Sequence, residues 1–404
     1  MANKPSPTGF PPPSGLAAIP RSIWTLGLVS LFMDTSSELI HSLLPVFLVS
    51  VLGASAVSVG VIEGIAEATA SITKVFSGAL SDYLGKRKLL TVMGYSLAAF
   101  SKPLFPLAGS VGWVFTARFI DRIGKGIRGA PRDALIGEIA PLSLRGASYG
   151  LRQSLDTVGA FTGPLLAMTL MALLAGDIRM VFWVAVIPGF IAVVILILGV
   201  KEPTTFRPSS PTKAPIRAAE IRQMGTPYGW LLGVAAGLSL ARFSEAFLVL
   251  RAENMGLAHA LIPLVMVVMN IAYALSAYPA GKLSDLMNRW IILATGFIIL
   301  IAADIVLALA TDIWDVMAGV VLWGLHMGLT QGLLSALVAD VTSPKLRGTA
   351  FGVFHLITGV GALSASFIAG LLWEGYGPMA TFLAGAGFAT LSLLLAAIAA
   401  TKIP

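Results

Sequence analysis

The chain has 404 residues, is 56% hydrophobic and only 12% charged, and its mean hydropathy is +0.87. A soluble domain of this length carries roughly twice that charged fraction, so a water-soluble enzyme or scaffold is excluded. The formal net charge of +7 would suit a nucleic-acid partner in a soluble protein, but in so apolar a chain the placement of Lys and Arg matters more than their total.

Apolar runs of about 18 or more residues recur from end to end, which is the pattern of membrane-spanning helices. Twelve spans are expected, over 22–50, 57–81, 88–108, 112–138, 146–175, 178–199, 227–251, 258–283, 289–310, 313–340, 346–373 and 378–401. A β-barrel is excluded because its strands alternate in segments of about ten residues. The Pro-rich opening, residues 1–21, reads as a disordered tail. Span 1 is too long for the apolar core of a cleavable signal and reads as an uncleaved anchor.

Lys and Arg cluster at alternate connections. Lys86, Arg87 and Lys88 lie between spans 2 and 3, and Arg145 between spans 4 and 5. Lys201, Arg207, Lys213, Arg217 and Arg222 lie between spans 6 and 7. Arg289 follows span 8, Lys345 and Arg347 follow span 10, and Lys402 lies near the end. The opposite connections near 53, 110, 312 and 375 hold neither residue. The positive-inside rule then places both termini in the cytoplasm of a multi-pass protein, and the expected setting is a bacterial inner membrane.

The chain repeats itself. "GALSDYLGKRK" at 78–88 returns as "GKLSDLMNRW" at 281–290, offset by 203 residues. "ALIGEIAPLSLRGASYG" at 134–150 returns as "ALVADVTSPKLRGTAFG" at 336–352, offset by 202. The expectation is an all-α membrane protein of twelve transmembrane helices in two pseudo-repeated six-helix bundles, 22–200 and 227–404, joined by a cytoplasmic linker at 201–226. Such duplication suits transporters that rock two halves about a site near the bilayer midplane.

Span 4 is anomalous. "RFIDRIGKGIRGAPRD", residues 118–133, holds five basic and two acidic side chains. At about 100° per residue, Arg118, Asp121, Arg122, Lys125, Arg128, Arg132 and Asp133 fall within one sector of about 140°. A charge facing lipid at mid-depth costs about 2.5–3.5 kcal/mol on the insertion scale, so the stripe must face the protein interior. Its G-x-G-x-x-G (Gly124, Gly126, Gly129) matches the dinucleotide fingerprint only in letters. That motif requires a strand before it, and here the glycines serve helix packing.

Partners for the stripe lie one helix away. Asp34, Glu38 and His41 share one face of span 1; Glu63, Glu67 and Lys74 share one face of span 2. Span 5 adds Arg152 and Asp156, and span 7 adds Arg242 and Glu245. Two readings stand for these buried charges: a structural ion-pair network, or a substrate and proton pathway in which ionised Asp34 and Glu38 pair with Arg118 and Arg122 and protonation frees an arginine. There is no cysteine, and His41, His259, His326 and His355 make no metal-spaced pair, so neither a metal nor another cofactor is expected. Nor does any nucleophile–base arrangement point to an enzyme.

The motifs resemble those of the major facilitator superfamily over nearly the whole chain. "GALSDYLGKRK" is similar to the family's loop 2–3 signature through Gly78, Asp82, Gly85, Lys86, Arg87 and Lys88, with a degenerate copy at Gly281, Asp285 and Arg289. "ARFIDRIGKG" resembles the span 4 signature, with Arg118 as the embedded arginine and Gly124 and Gly126 as two of its glycines; Arg122 replaces a third. "GAFTGP" resembles the antiporter signature through Gly159, Gly163 and Pro164, while Ala167-Met168 replaces a later glycine pair. The resemblance implies the twelve-helix fold and alternating-access transport of a small molecule, and the span 5 motif implies proton-coupled export by drug/proton antiporter-type members. Uptake of an anionic or zwitterionic metabolite, with Arg118 and Arg122 as its clamp, is the alternative; a receptor or embedded enzyme is the remote one. Protons, a small substrate and the bilayer are the expected partners of a functional monomer, with no nucleic acid. The loop 2–3 motif, with Arg128, Arg132 and Asp133, is expected to gate the cytoplasmic side.

Overall fold

The computed structural model describes residues 19–84, 86–141, 144–201, 224–342 and 347–402. Among them the regular structure is helical, and twelve spans run in order. They are α1 (Arg21–His41), α2 (Ala56–Leu84), α3 (Arg87–Ser101), α4 (Val111–Ile139), α5 (Arg145–Leu173) and α6 (Ile178–Gly199). The second six are α7 (Gly225–Ala241), α8 (Leu264–Leu286), α9 (Arg289–Leu309), α10 (Ile313–Val341), α11 (Arg347–Tyr376) and α12 (Pro378–Lys402). The expected tail over 1–21 and linker over 201–226 fall almost wholly outside the described residues.

Among the described residues, nine spans are long and apolar enough to cross a membrane by length and composition alone. The other three are α1, α3 and α4. α3 has 15 residues before a 3-10 turn at Lys102–Leu104, and α1 and α4 carry ionisable side chains in their interiors. Large apolar groups such as Leu198 and Leu275 stay exposed on the outer surface, which is where lipid solvates them.

Two spans expected to be continuous are broken. α1 stops at His41 because Pro45 cannot donate to the His41 carbonyl; the span continues as Leu44–Val46 and a wide turn at Phe47–Val51. α7 stops at Ala241 and resumes at Ala246–Asn254. In that gap the Ser244 amide donates to Ser366 Oγ (3.2 Å), and Ser244 Oγ accepts from the Ala246 amide (3.2 Å). Side chains thus satisfy backbone that the helix leaves free, a condition for unwound chain at membrane depth.

The packing repeats as the sequence does. α1 lies on α5 and α6, and α4 on α2 and α3; α7 lies on α11 and α12, and α10 on α8 and α9. The halves meet along two seams, α2 with α11 and α5 with α8, which exchange under the repeat. Arg87 pairs with Glu138 (3.0 Å), and Arg289 pairs with Asp340, each residue 202 positions from its counterpart. These pairs mark what is here termed the basic end.

The α2–α11 seam lies toward the opposite, far end. A Cβ on Gly60 would sit 2.1 Å from the Ser366 carbonyl oxygen, so only glycine permits this backbone approach. Ser50 Oγ donates to Glu253, and the Val57 amide to Glu374 Oε2 (3.4 Å), so the halves also touch at the helix termini of this end. The far end is closed.

Candidate functional site

The charged stripe of α4 faces inward, and each part of it meets a different element. Arg118 is fully buried and holds Glu63 of α2 in a fork, Nε to Oε1 at 3.1 Å and Nη2 to Oε2 at 2.7 Å. His41 bridges two acids, with Nε2 3.5 Å from Glu63 and Nδ1 3.4 Å from Glu38. Arg122 reaches Glu67 at 3.3 Å. Asp121 accepts from Lys102 Nζ at 2.8 Å, and Lys102 also donates to Ser37 Oγ at 2.9 Å.

Toward the basic end, Arg128 lies 4.0 Å from Asp34 and over the Tyr95 ring, 4.6 Å from its centroid. Arg132 donates to Ser30 Oγ (3.1 Å), to the Tyr95 hydroxyl (3.2 Å) and to its neighbour Asp133 (3.1 Å). On α5, Arg152 Nη2 donates to both oxygens of Asp156 at 3.0 Å. Asp34 of α1 and Asp156 of α5 come together across the α1–α5 contact, and both line the same cavity.

That last contact follows from helix packing. A Cβ on Gly159 would lie 2.5 Å from the Leu31 carbonyl oxygen, and one on Gly163 would lie 2.8 Å from the Thr35 oxygen and from Glu38 Cβ. Asp156, Gly159 and Gly163 share one face of α5 at helical spacing. The two glycines bring α5 onto α1, and Asp156 comes against Asp34. Pro164 follows inside the same helix.

The glycines of α4 act the same way. A Cβ on Gly124 would meet Gly94 O at 2.7 Å, and one on Gly126 would meet Thr73 Cβ at 2.5 Å. They seat α4 against α3 on one side and α2 on the other, in agreement with the packing role expected from the sequence.

Between the halves lies a cavity of about 580 Å³. One wall belongs to the first half, with Glu38, His41, Glu63, Glu67, Arg122 and Lys125. The other belongs to the second half and is more apolar, with Phe243, Met266, Met269, Met327, Leu334 and Phe354 around Arg242, Glu245, Asn270 and His355. The break in α7 delivers Arg242 and Glu245, which are 3.5 Å apart. The carboxamide oxygen of Gln331, turned inward, accepts from both Arg242 Nη atoms at 2.6 and 2.9 Å. A second cavity of about 470 Å³ shares Glu38, Glu67, Lys125 and His355 with the first and continues past Asp34, Asp156 and Lys74 to Arg132 and Asp133. It extends toward the basic end.

The expected site residues therefore divide in two. Asp34, Glu38, His41, Glu63, Glu67, Arg122, Lys125, Arg152, Asp156, Arg242 and Glu245 line one or both cavities. Arg118 and Asp121 lie behind the wall and are committed to protein partners. Asp34 and Glu38, the acids of α1, face Asp156 and His41 rather than Arg118.

Of the expected gate residues, Arg128, Arg132 and Asp133 line the second cavity. Arg87 and Arg289 make the matched pairs at the basic end, and Lys86 is an exposed residue preceding α3. Gly78 stands close to α4, where a Cβ would lie 3.3 Å from Ala130 Cβ. Asp82, Gly281 and Asp285 sit on α2 and α8, but their side chains, like Gly85, fall outside the described residues.

Lys102 and Tyr95 were not singled out from the sequence. Lys102 carried a usable signal, being an interior charge in the apolar run 88–108; Tyr95 carried none. Among the described residues no group of His, Asp and Glu is arranged to hold a metal ion.

The comparisons agree with this geometry. The Major Facilitator Superfamily profile matches residues 26–250 and 229–404. An uncharacterized MFS-type transporter of Methanocaldococcus jannaschii is 33% identical over 386 residues, covering 93% of this chain and 94% of that one. The inner membrane transport protein YajR of Escherichia coli is 24% identical over 395 residues, covering 93% and 82%. A crystal structure of a POT family transporter in complex with a thioalcohol-conjugated peptide superposes with a TM-score of 0.80 at 12% identity, covering 95% and 96%, and so shares the fold. By its motifs, its duplicated helical architecture and these matches, the chain belongs to the major facilitator superfamily and is a multi-pass membrane transporter.

Proposed function

We propose that this transporter is a proton-coupled exporter of the inner membrane, an antiporter that works as a monomer by alternating access. One observation carries the reading: a cavity walled by both halves runs on toward the basic end while α2 and α11 shut the far end. With Lys and Arg facing the cytoplasm, both termini and the basic end are cytoplasmic, and the structure is the inward-facing state. Rocking about the seams exchanges which end is shut.

The proton enters through Asp34 and Asp156. These carboxyls lie together at the cavity wall on the α1–α5 contact of the first half, and α5 also forms the seam with α8 about which the halves rock. Substrate meets a charged wall on one side and a Met- and Phe-bearing wall on the other, so an amphiphilic small molecule fits. The exporter-like signature at Gly159, Gly163 and Pro164 supports outward direction, because its glycines set the α1–α5 contact that holds the acid pair.

The test is expression in a bacterial host stripped of its own pumps, scored by resistance and by intracellular accumulation across a compound panel. Raised resistance with lowered accumulation, abolished by a protonophore, is expected. Growth on an otherwise unusable nutrient, with accumulation raised, would instead make the protein an importer.

A further inference from the structure

The acids of the first half are almost all spoken for, and two lysines are left over. Glu63 is held by Arg118, Glu67 by Arg122, Asp121 by Lys102, Asp133 by Arg132 and Asp156 by Arg152. Glu38 is met by His41, and Asp34 lies against Asp156 and Arg128. Lys74 and Lys125 both line the second cavity, and Lys125 the first as well. Among the described residues neither ammonium is within ion-pair or hydrogen-bond distance of a partner, though Asp34, Glu38, Glu67, Asp133 and Asp156, each engaged elsewhere, line the same cavity.

Their placement is built rather than incidental. The Lys74 stem runs along α4 at Gly129, where a Cβ would lie 3.6 Å from its Cγ, Cδ and Cε. Lys125 is one helical turn from Gly129 on the same helix, so the two stems converge on one seam. Lys125 is exposed to the cavity. His355 of α11, in the other half, also lines both cavities.

An unpaired ammonium at membrane depth is costly, and these two sit where a mobile counter-charge can reach them. Arg118 and Arg122, the residues first suited to an anion clamp, are already committed to Glu63 and Glu67.

The geometry points to Lys74 and Lys125 as the seat for an anionic headgroup, so that the transported molecule is an organic anion whose apolar body lies on the Met266, Met269 and Phe354 wall. The inference rests on the transporter reading and specifies the charge of its substrate. A carboxylate or a phosphate monoester supplies the same chemistry, acceptor oxygens for two ammonium donors. His355 meets the ligand from the second half, so an anion held there bridges the two halves and favours the state in which they close on it.

The experiment is a thermal-shift titration of the purified protein in neutral detergent without added lipid, so that water-soluble anions are tested apart from lipid headgroups. Benzoate and phenyl phosphate open a series of alkyl and aryl carboxylates and phosphate monoesters, each paired with its neutral amide or alcohol. Members of the anionic set should raise Tm in a saturable way, and their neutral counterparts should not. Lys125→Ala and Lys74→Ala should each raise the apparent Kd about tenfold or more, the loss of one charge-assisted hydrogen bond. Lys125→Arg should retain most of the affinity, and an unliganded Tm close to wild type confirms that each variant folds.

The proposal is overturned if no anion stabilises the protein, or if the shift persists unchanged in both alanine variants. A neutral or cationic compound that is transported and binds all variants equally defeats the anion seat and leaves the transporter reading standing. Compounds that bind at the lysines but never cross a proteoliposome membrane under any gradient defeat the transporter reading instead.

Discussion

Arg118 and Glu63 form a two-pronged pair, at 3.1 and 2.7 Å, in which both side chains are only 2% exposed. The membrane-embedded arginine of span 4 is therefore anchored to α2 and does not project into the cavity. Its partner Glu63 reaches the cavity wall and touches His41, which touches Glu38. A change at either cavity acid is thus felt at the α2–α4 junction through one imidazole.

Breaking that pair should be expensive. Arg118→Ala or Glu63→Ala leaves one buried charge alone, and each should cost about 3–5 kcal/mol. The double variant Arg118→Met, Glu63→Leu should recover most of the loss, because apolar packing replaces both charges together. Denaturation in detergent, run as a double-mutant cycle, checks this. Equal loss in single and double variants would show that the pair is not the stabilising unit. Arg118→Lys should fall between, since an ammonium cannot reproduce the fork.

The acid pair should carry the energy coupling. Asp34→Asn and Asp156→Asn should each cut transport driven by an imposed pH gradient at least tenfold, while substrate exchange at equal pH persists. The expectation follows from the proposed proton site at these two carboxyls, since an amide in either place cannot take up and release a proton. Uptake into proteoliposomes with and without a pH gradient measures it. Full gradient-driven accumulation in the double variant would shift the coupling role to Glu38 or Glu67.

Packing and coupling should fail together on α5. Gly159→Ala places a methyl 2.5 Å from the Leu31 carbonyl oxygen, a collision with backbone. The helices must separate, at a cost of about 1–3 kcal/mol for overpacking, and Asp156 moves off Asp34. The variant should express and fold yet lose gradient-driven transport about as severely as Asp34→Asn. Normal coupling in a folded Gly159→Ala protein would break the link between the glycine motif and the acids.

Orientation is directly accessible because the chain has no cysteine. Cysteines introduced at Ser210 and Thr311, treated with an impermeant thiol reagent on intact cells, should label at 311 and not at 210. The reverse pattern would invert the topology.

Much of this was legible in the sequence because membrane burial restricts where charge can go. The stripe of α4 and the facing acids of α1 and α2 had to meet, since lipid tolerates neither. The duplication implied the paired architecture, and the structure adds matched ion pairs, Arg87–Glu138 and Arg289–Asp340, that the repeat alone did not name. What could not be read was pairing. Helical periodicity gives a face, not a neighbour, so Arg118 was expected against Asp34 and Glu38 and stands instead against Glu63. Lys102 stood out as an interior charge, but its pairing with Asp121 did not, because Arg122 is a nearer candidate on the same helix. The break in α7 had no proline to announce it; it depends on Ser366 from another helix, a tertiary contact no local pattern encodes.

The central claim is that the two halves alternate about the α2–α11 and α5–α8 seams, and distances across each end test it most directly. Spin labels at Val51→Cys and His259→Cys report the far end, and labels at Lys86→Cys and Met287→Cys report the basic end. In proteoliposomes, pulsed electron–electron resonance should find the first pair close and the second pair apart in the state described here. Shifting pH across the working range of the acid pair should bring in a second population with the opposite pattern, and Asp34→Asn should hold one pattern at every pH. A single, unchanging pair of distances under all conditions, in a protein that still transports, would contradict the account.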